Sequence, residues 1–137
     1  MKKLKAPALL FVLLFCFNLS AQNLIGYKDN EIRQYMKEKQ RSMNFQTKIN
    51  NSTFKYLKYV DQNETQTLLF FLTADSVCKS VRLICDKSLK ADKVKELDAA
   101  YMKAGDNIWS ETRNGKKYII ELKEEEWSFN VTYILND

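Results

Sequence analysis

The sequence predicts an α+β fold: an antiparallel sheet of about seven strands with two helices on one face, in the order α-β-β-β-β-α-β-β-β. Three observations carry this. The apolar period is helical near the start, alternates from Phe45, becomes helical again from Ser88 and alternates once more from Asn107. Short polar stretches join successive strand candidates, which antiparallel neighbours allow and parallel ones do not. Asn114-Gly115 lies between two alternating runs, and a type I′ hairpin turn needs positive φ at both central residues, which this pair tolerates. With no parallel crossover, both helices belong on one face. The other face is then free to bind a partner or to meet water.

The first helix is expected from Tyr27 to Gln40, with Ile32, Tyr35 and Met36 on its apolar side and Asp29 or Asn30 as cap. Strands follow at Phe45–Ile49, Phe54–Val60, Thr67–Leu72 and Val77–Cys85, separated by the polar turns Asn50–Ser52, Asp61–Thr65 and Ala74–Ser76. The run TLLFFL has the length and continuity of a strand buried on both sides. A second helix is expected from Ser88 to Ala104, with Val94, Leu97, Tyr101 and Ala104 in one stripe, Ser88 as cap and Gly105 as the left-handed stop. Then come NIWSET, KYIIELK and WSFNVTYIL. In the last of these, Trp127, Phe129, Val131, Tyr133 and Leu135 share a packed face. The two blocks, each a helix followed by a meander, look duplicated in architecture though not in sequence.

The amino terminus reads as a secretory signal peptide over residues 1–21. MKKLK supplies positive charge, Ala6 to Phe17 an apolar centre too short for the roughly 20 residues of a membrane span, and Ala21 a small residue for cleavage before Gln22. Bulky Leu14 and Phe15 before Cys16 argue against a lipid anchor. Residues 22–137 form one α+β domain, expected to be exported, periplasmic or extracellular, with no membrane span after cleavage. The whole chain has a formal charge of +5, and removing Lys2, Lys3 and Lys5 leaves +2. So near neutrality there is no electrostatic case for nucleic acid.

Two cysteines remain, Cys78 and Cys85, on one strand. Seven residues of extended chain span about 23 Å, far beyond the roughly 7 Å a disulfide tolerates. They should not pair with each other. An odd separation sends them to opposite faces, with Cys85 buried and Cys78 on the other side.

Catalytic groups are sparse. The chain has no histidine, which removes the commonest general base and zinc ligand. Three glycines cannot make a phosphate-binding loop, and no calcium-loop pattern occurs. Glu121 with Glu124, Glu125 and Glu126 reads as a solvated hairpin end. No cofactor, metal ion or catalytic residue is expected. Aromatic residues are plentiful; Tyr59 and Trp109 are the candidates for an interaction surface on the helix-free face.

SAQN, LIGYKDNEIRQYMKEK, FKYLKY and LLFFLTADSVCKSVRLICD resemble small exported proteins of Bacteroidota that carry no assigned activity. Asp75-Ser76-Val77 is similar to the Asp-Ser/Thr-aliphatic signal for O-glycosylation in that phylum, which makes Ser76 a candidate acceptor. Gly26 leading into a helix and then a meander is similar in architecture to the β-lactamase inhibitor proteins and to small outer-membrane assembly lipoproteins, although a lipobox is lacking. The likeness is one of fold and transfers no site. The expected function is non-catalytic binding of a protein or cell-envelope component through a sheet face. The alternative is a small-ligand-binding protein or enzyme with a pocket between helices and sheet; a structural subunit of a surface assembly is a third.

Overall fold

A computed structural model describes residues 24–136; the predicted leader, Cys16 and the cleavage site before Gln22 lie outside the described residues. Helix α1 spans Asp29–Lys39 and is followed by β1 (Met43–Asn50), β2 (Lys55–Asp61), β3 (Gln66–Leu72) and β4 (Cys78–Asp86). A 3-10 turn, Lys87–Leu89, leads into α2 (Lys90–Ala100), and then come β5 (Met102–Gly105), β6 (Ile108–Arg113), β7 (Lys116–Glu124) and β8 (Ser128–Asn136). All eight strands form one antiparallel sheet in the order β1-β2-β3-β4-β8-β7-β6-β5. Each half is a helix followed by four strands, and the halves meet where β4 pairs with β8. The strand order therefore reads the same outward from that seam in both directions.

Local chemistry explains most boundaries. The α1 start is closed by Glu31, whose carboxylate accepts from the Lys28 N–H at 2.9 Å. The expected caps, Asp29 or Asn30, both lie inside the first turn; there the negative charge of Asp29 suits the helix dipole and pairs with Arg33 and Lys48. Asn51 ties the β1–β2 turn by accepting from the Thr53 and Phe54 N–H groups. Asp61 does the same for β2–β3, accepting from the N–H groups of Thr65 at 2.7 Å and Gln66 at 2.9 Å. Asn114 and Gly115 both have positive φ, 52° and 76°, as the type I′ expectation requires.

The second helix departs from expectation. It ends at Ala100; Tyr101 is extended and its N–H closes the last turn on the Leu97 carbonyl. The following Met102–Gly105 turns away as β5 and pairs with β6 across the two-residue connection Asp106-Asn107, Asn107 having a φ of 56°. Gly105 is thus a strand residue rather than a helix stop. Hydrogen bonding to β6 outweighs a longer helix, and Tyr101 still packs against the core from its extended position. Ser88 does not cap α2: it lies inside the 3-10 turn, which Asp86 caps by accepting from the Ser88 N–H, and Leu89 precedes the first turn of α2 with no side-chain cap bond.

Both helices cover the same face of the sheet. Ile32 and Met36 of α1 and Leu97 of α2 join Leu57, Leu68, Phe70, Val81, Leu83, Ile120, Phe129 and Val131 in one buried cluster. Each fully buried side chain of this size contributes about 1.5–3 kcal/mol by leaving water. Parity along β4 is not continuous. Leu72 pairs with Cys78 and Phe71 with Ser80, so Lys79 is an extra residue in a β-bulge. The bulge corrects the expectation of opposite faces: Cys78 and Cys85 are both buried on the helix-covered side. They are free thiols.

Candidate functional site

Tyr59 and Trp109, the residues expected on the open face, lie beneath the helices at 4% and 0% exposure. Tyr59 packs edge-on between Phe45 and Phe70. Trp109 donates from Nε1 to Asp98 of α2 at 2.9 Å, and the Lys103 ammonium lies 4.4 Å from its ring centre. Burial sets both roles: each ring takes the parity of its strand that points into the core. Trp127, expected in the packed face of the last strand, precedes β8 and is 80% exposed.

Ser76 sits in the β3–β4 turn with a φ of 65°. Its N–H donates to the Thr73 carbonyl at 2.9 Å and its carbonyl accepts from the Asp29 N–H at 3.0 Å. The turn is therefore tied to the start of α1, and the Lys28–Val77 bridge strengthens the tie.

The helix-free face is formed by the other parity. Pairing aligns Ile49, Tyr56, Phe71, Ser80, Ile134 and Ile119 in one row running across β1, β2, β3, β4, β8 and β7. The adjacent row holds Lys58, Leu69, Arg82, Thr132 and Glu121, and the next Val60, Thr67, Ile84, Asn130 and Lys123. These side chains are half-buried by one another or exposed, and no second layer of the described residues covers them. The rings of Tyr56 and Phe71 lie 5.7 Å apart, and the Arg82 guanidinium lies 5.5 Å from the Phe71 ring centre. Next to them a hollow of about 380 Å³ opens over β4, β8 and β7, lined by Arg82, Ile119, Glu121, Lys123, Asn130 and Ile134 among others. Charges of both signs border this face, Lys58, Arg82 and Lys123 with Glu121 and Glu125.

Such a surface can exclude water over a broad area and orient a partner through a few charges. Among the described residues no group of three acidic or cysteine side chains is arranged to hold a metal ion, and no helix is long and apolar enough to cross a membrane. Both thiols of β4 are buried, and burial pushes Cys78 up to about 12 and Cys85 up to about 11.

Tyr56, Phe71, Ile119 and Ile134 do not stand out in the sequence, because an aromatic or aliphatic residue in a strand carries no information on register. A usable signal was present in Leu69-Phe70-Phe71, Ile119-Ile120 and Ile134-Leu135. Apolar residues at both parities of a strand place one set outside the core. No family model matches the chain, and no curated protein or solved structure matches it.

Proposed function

We propose that this protein is a non-catalytic, exported binding module, periplasmic or secreted, that engages a protein or cell-envelope component through the helix-free face of its sheet. The observation that carries the reading is the make-up of that face: Tyr56, Leu69 and Phe71 on β2 and β3 and Ile119 and Ile134 on β7 and β8 flank Ser80 and Arg82 of β4, with nothing among the described residues covering them. Apolar side chains left outside the core beside a cation are a mark of interaction sites. The polar fringe of the face supplies orientation. Lys58, Arg82 and Lys123 with Glu121 and Glu125 give this fringe both signs of charge, which fixes the register of a partner, and Arg82 stands at the centre of the face.

Rigid strands suit such a role, because the contact residues hold their spacing before binding and little order has to be acquired. Placing a photo-cross-linking amino acid at position 119 or 134, with Gln34 on the exposed side of α1 as control, tests the reading in the exporting host. A discrete adduct from the sheet positions, weakened by Arg82→Glu and absent from position 34, supports it. Adducts from position 34 alone, or none from the sheet face, would reject it.

A further inference from the structure

We propose that the free edge of β1, beside the row Arg33, Lys37 and Arg41, is a docking site for an extended acidic segment of a partner protein, added to the sheet as an outer strand. The site lies at the edge and on the helix side of the sheet, so it does not depend on the reading of the open face. Of the two outer strands, β1 runs for eight residues and β5 for four. An outer strand presents unpaired N–H and C=O groups along its free side, which is the template for strand addition. Asn44, Phe45 and Gln46 of β1 are exposed. Gln46 is the extra residue of a bulge, which keeps a regular ladder short. Backbone pairing there needs help from side chains.

The side chains beside this edge are cationic. A hollow of about 400 Å³ is lined by Arg33, Lys37, Arg41, Asn44 and Phe45 among others, and no carboxylate is among the described residues that line it. Arg33 is fixed in place: its Nε donates to Asp29 at 2.9 Å, and its guanidinium lies 4.5 Å from the centre of the Phe45 ring. Its two terminal nitrogens have no hydrogen-bond partner among the described residues, which leaves a planar fork suited to a carboxylate. Lys37 and Arg41 are exposed and take part in no ion pair among the described residues. The carboxylates of α1 are already engaged: Asp29 with Arg33 and Lys48, Glu31 with the Lys28 N–H, and Glu38 with the Gln34 amide. Residues four apart on a helix are separated by a rise of about 6 Å, and alternate side chains of an extended chain lie about 6.6 Å apart. An acid at every second position can therefore meet Arg33 and Lys37 in turn while the backbone between pairs with β1. A compact anion could fill the fork but not the edge.

Short synthetic peptides, titrated into isotope-labelled protein purified from its exporting host and followed by amide chemical shifts, test both halves of the site. The probe alternates glutamate with valine. One control carries glutamine in place of glutamate; two more keep the glutamates and are N-methylated on either the glutamates or the valines. The glutamate probe should give saturable shifts at Lys37, Asn44 and Phe45, with the glutamine control about tenfold weaker and at least one methylated form weaker by a similar factor. Lys37→Gln with Arg41→Gln, both at exposed positions, should weaken the probe about tenfold and leave the melting temperature unchanged. Absence of saturable shifts, equal binding of the glutamine control, parent-like binding by both methylated forms, or undiminished binding by the double variant would overturn the proposal. Inorganic phosphate shifting the same amides with the affinity of the peptide would reduce the site to a simple anion site and overturn it as well. Peptide shifts centred on Tyr56 and Phe71 instead would belong to the open face and reject the edge.

Discussion

Trp109 shows how one side chain can serve several elements. Its ring is buried between β6 and α2, its Nε1 hydrogen bond reaches Asp98, and Lys103 of β5 covers it. Trp109→Ala should cost about 3–5 kcal/mol, as for other large buried rings, whereas Trp109→Phe should cost less, losing mainly the bond to Asp98; urea unfolding measures both. The thiols give a second prediction. With Cys78 raised to about 12 and Cys85 to about 11 by burial, both are protonated at pH 8 and shielded, so a disulfide reagent should label neither in the folded protein and both after denaturation. Rapid labelling of one in the native state would contradict their placement. At Ser76, intact mass spectrometry of exported protein tests the glycan. An added mass that disappears in Ser76→Ala is expected, and an unmodified mass would reject the assignment.

At the scale of elements, acidic side chains tie the turns and the helix start. Burial alone would raise the Asp29 carboxyl, but hydrogen bonds and positive charge from Lys48 and Arg33 outweigh it and hold it below the ordinary aspartate value. For Asp61 burial likewise raises, and the hydrogen bonds from Thr65 and Gln66 outweigh it. A carboxyl depressed in the folded state adds stability that is fully present above its unfolded value, near 3.8, and is lost as pH falls through the lower folded value. Stability should therefore be flat near pH 7 and fall below about pH 4, and Asp29→Asn with Asp61→Asn should flatten that acid limb in urea melts at pH 7 and pH 3. Gly115→Ala should cost about 1 kcal/mol, because its φ of 76° strains any residue with a Cβ even though nothing lies within 4 Å of the new atom.

For the whole molecule, the β4–β8 seam matters most. Val81, Leu83 and Cys85 of β4 pair with Tyr133, Val131 and Phe129 of β8, and all six side chains are buried in the shared cluster. Each half leaves an apolar strand edge and an uncovered layer without the other. Unfolding should be a single cooperative transition, with far-ultraviolet circular dichroism and Trp109 fluorescence, read in a Trp127→Phe background, giving coincident curves. Separate transitions would mean that the two helix-and-meander units are independent.

The strands other than β5, α1 and the body of α2, the turns at Asn50–Ser52, Asp61–Thr65 and Asn114-Gly115, and the mixed class were determined by the sequence alone, since period and turn chemistry are local properties of the chain. Pairing decided the rest. The bulge at Lys79 reversed the side taken by Cys78, and β6 drew Met102–Gly105 out of a helical stripe to add the eighth strand. Register sent Tyr59 and Trp109 inward and left Tyr56, Phe71 and Ile134 outside. Which parity of a strand faces the helices depends on hydrogen bonds to neighbours distant in sequence, and no pattern within the strand contains that information.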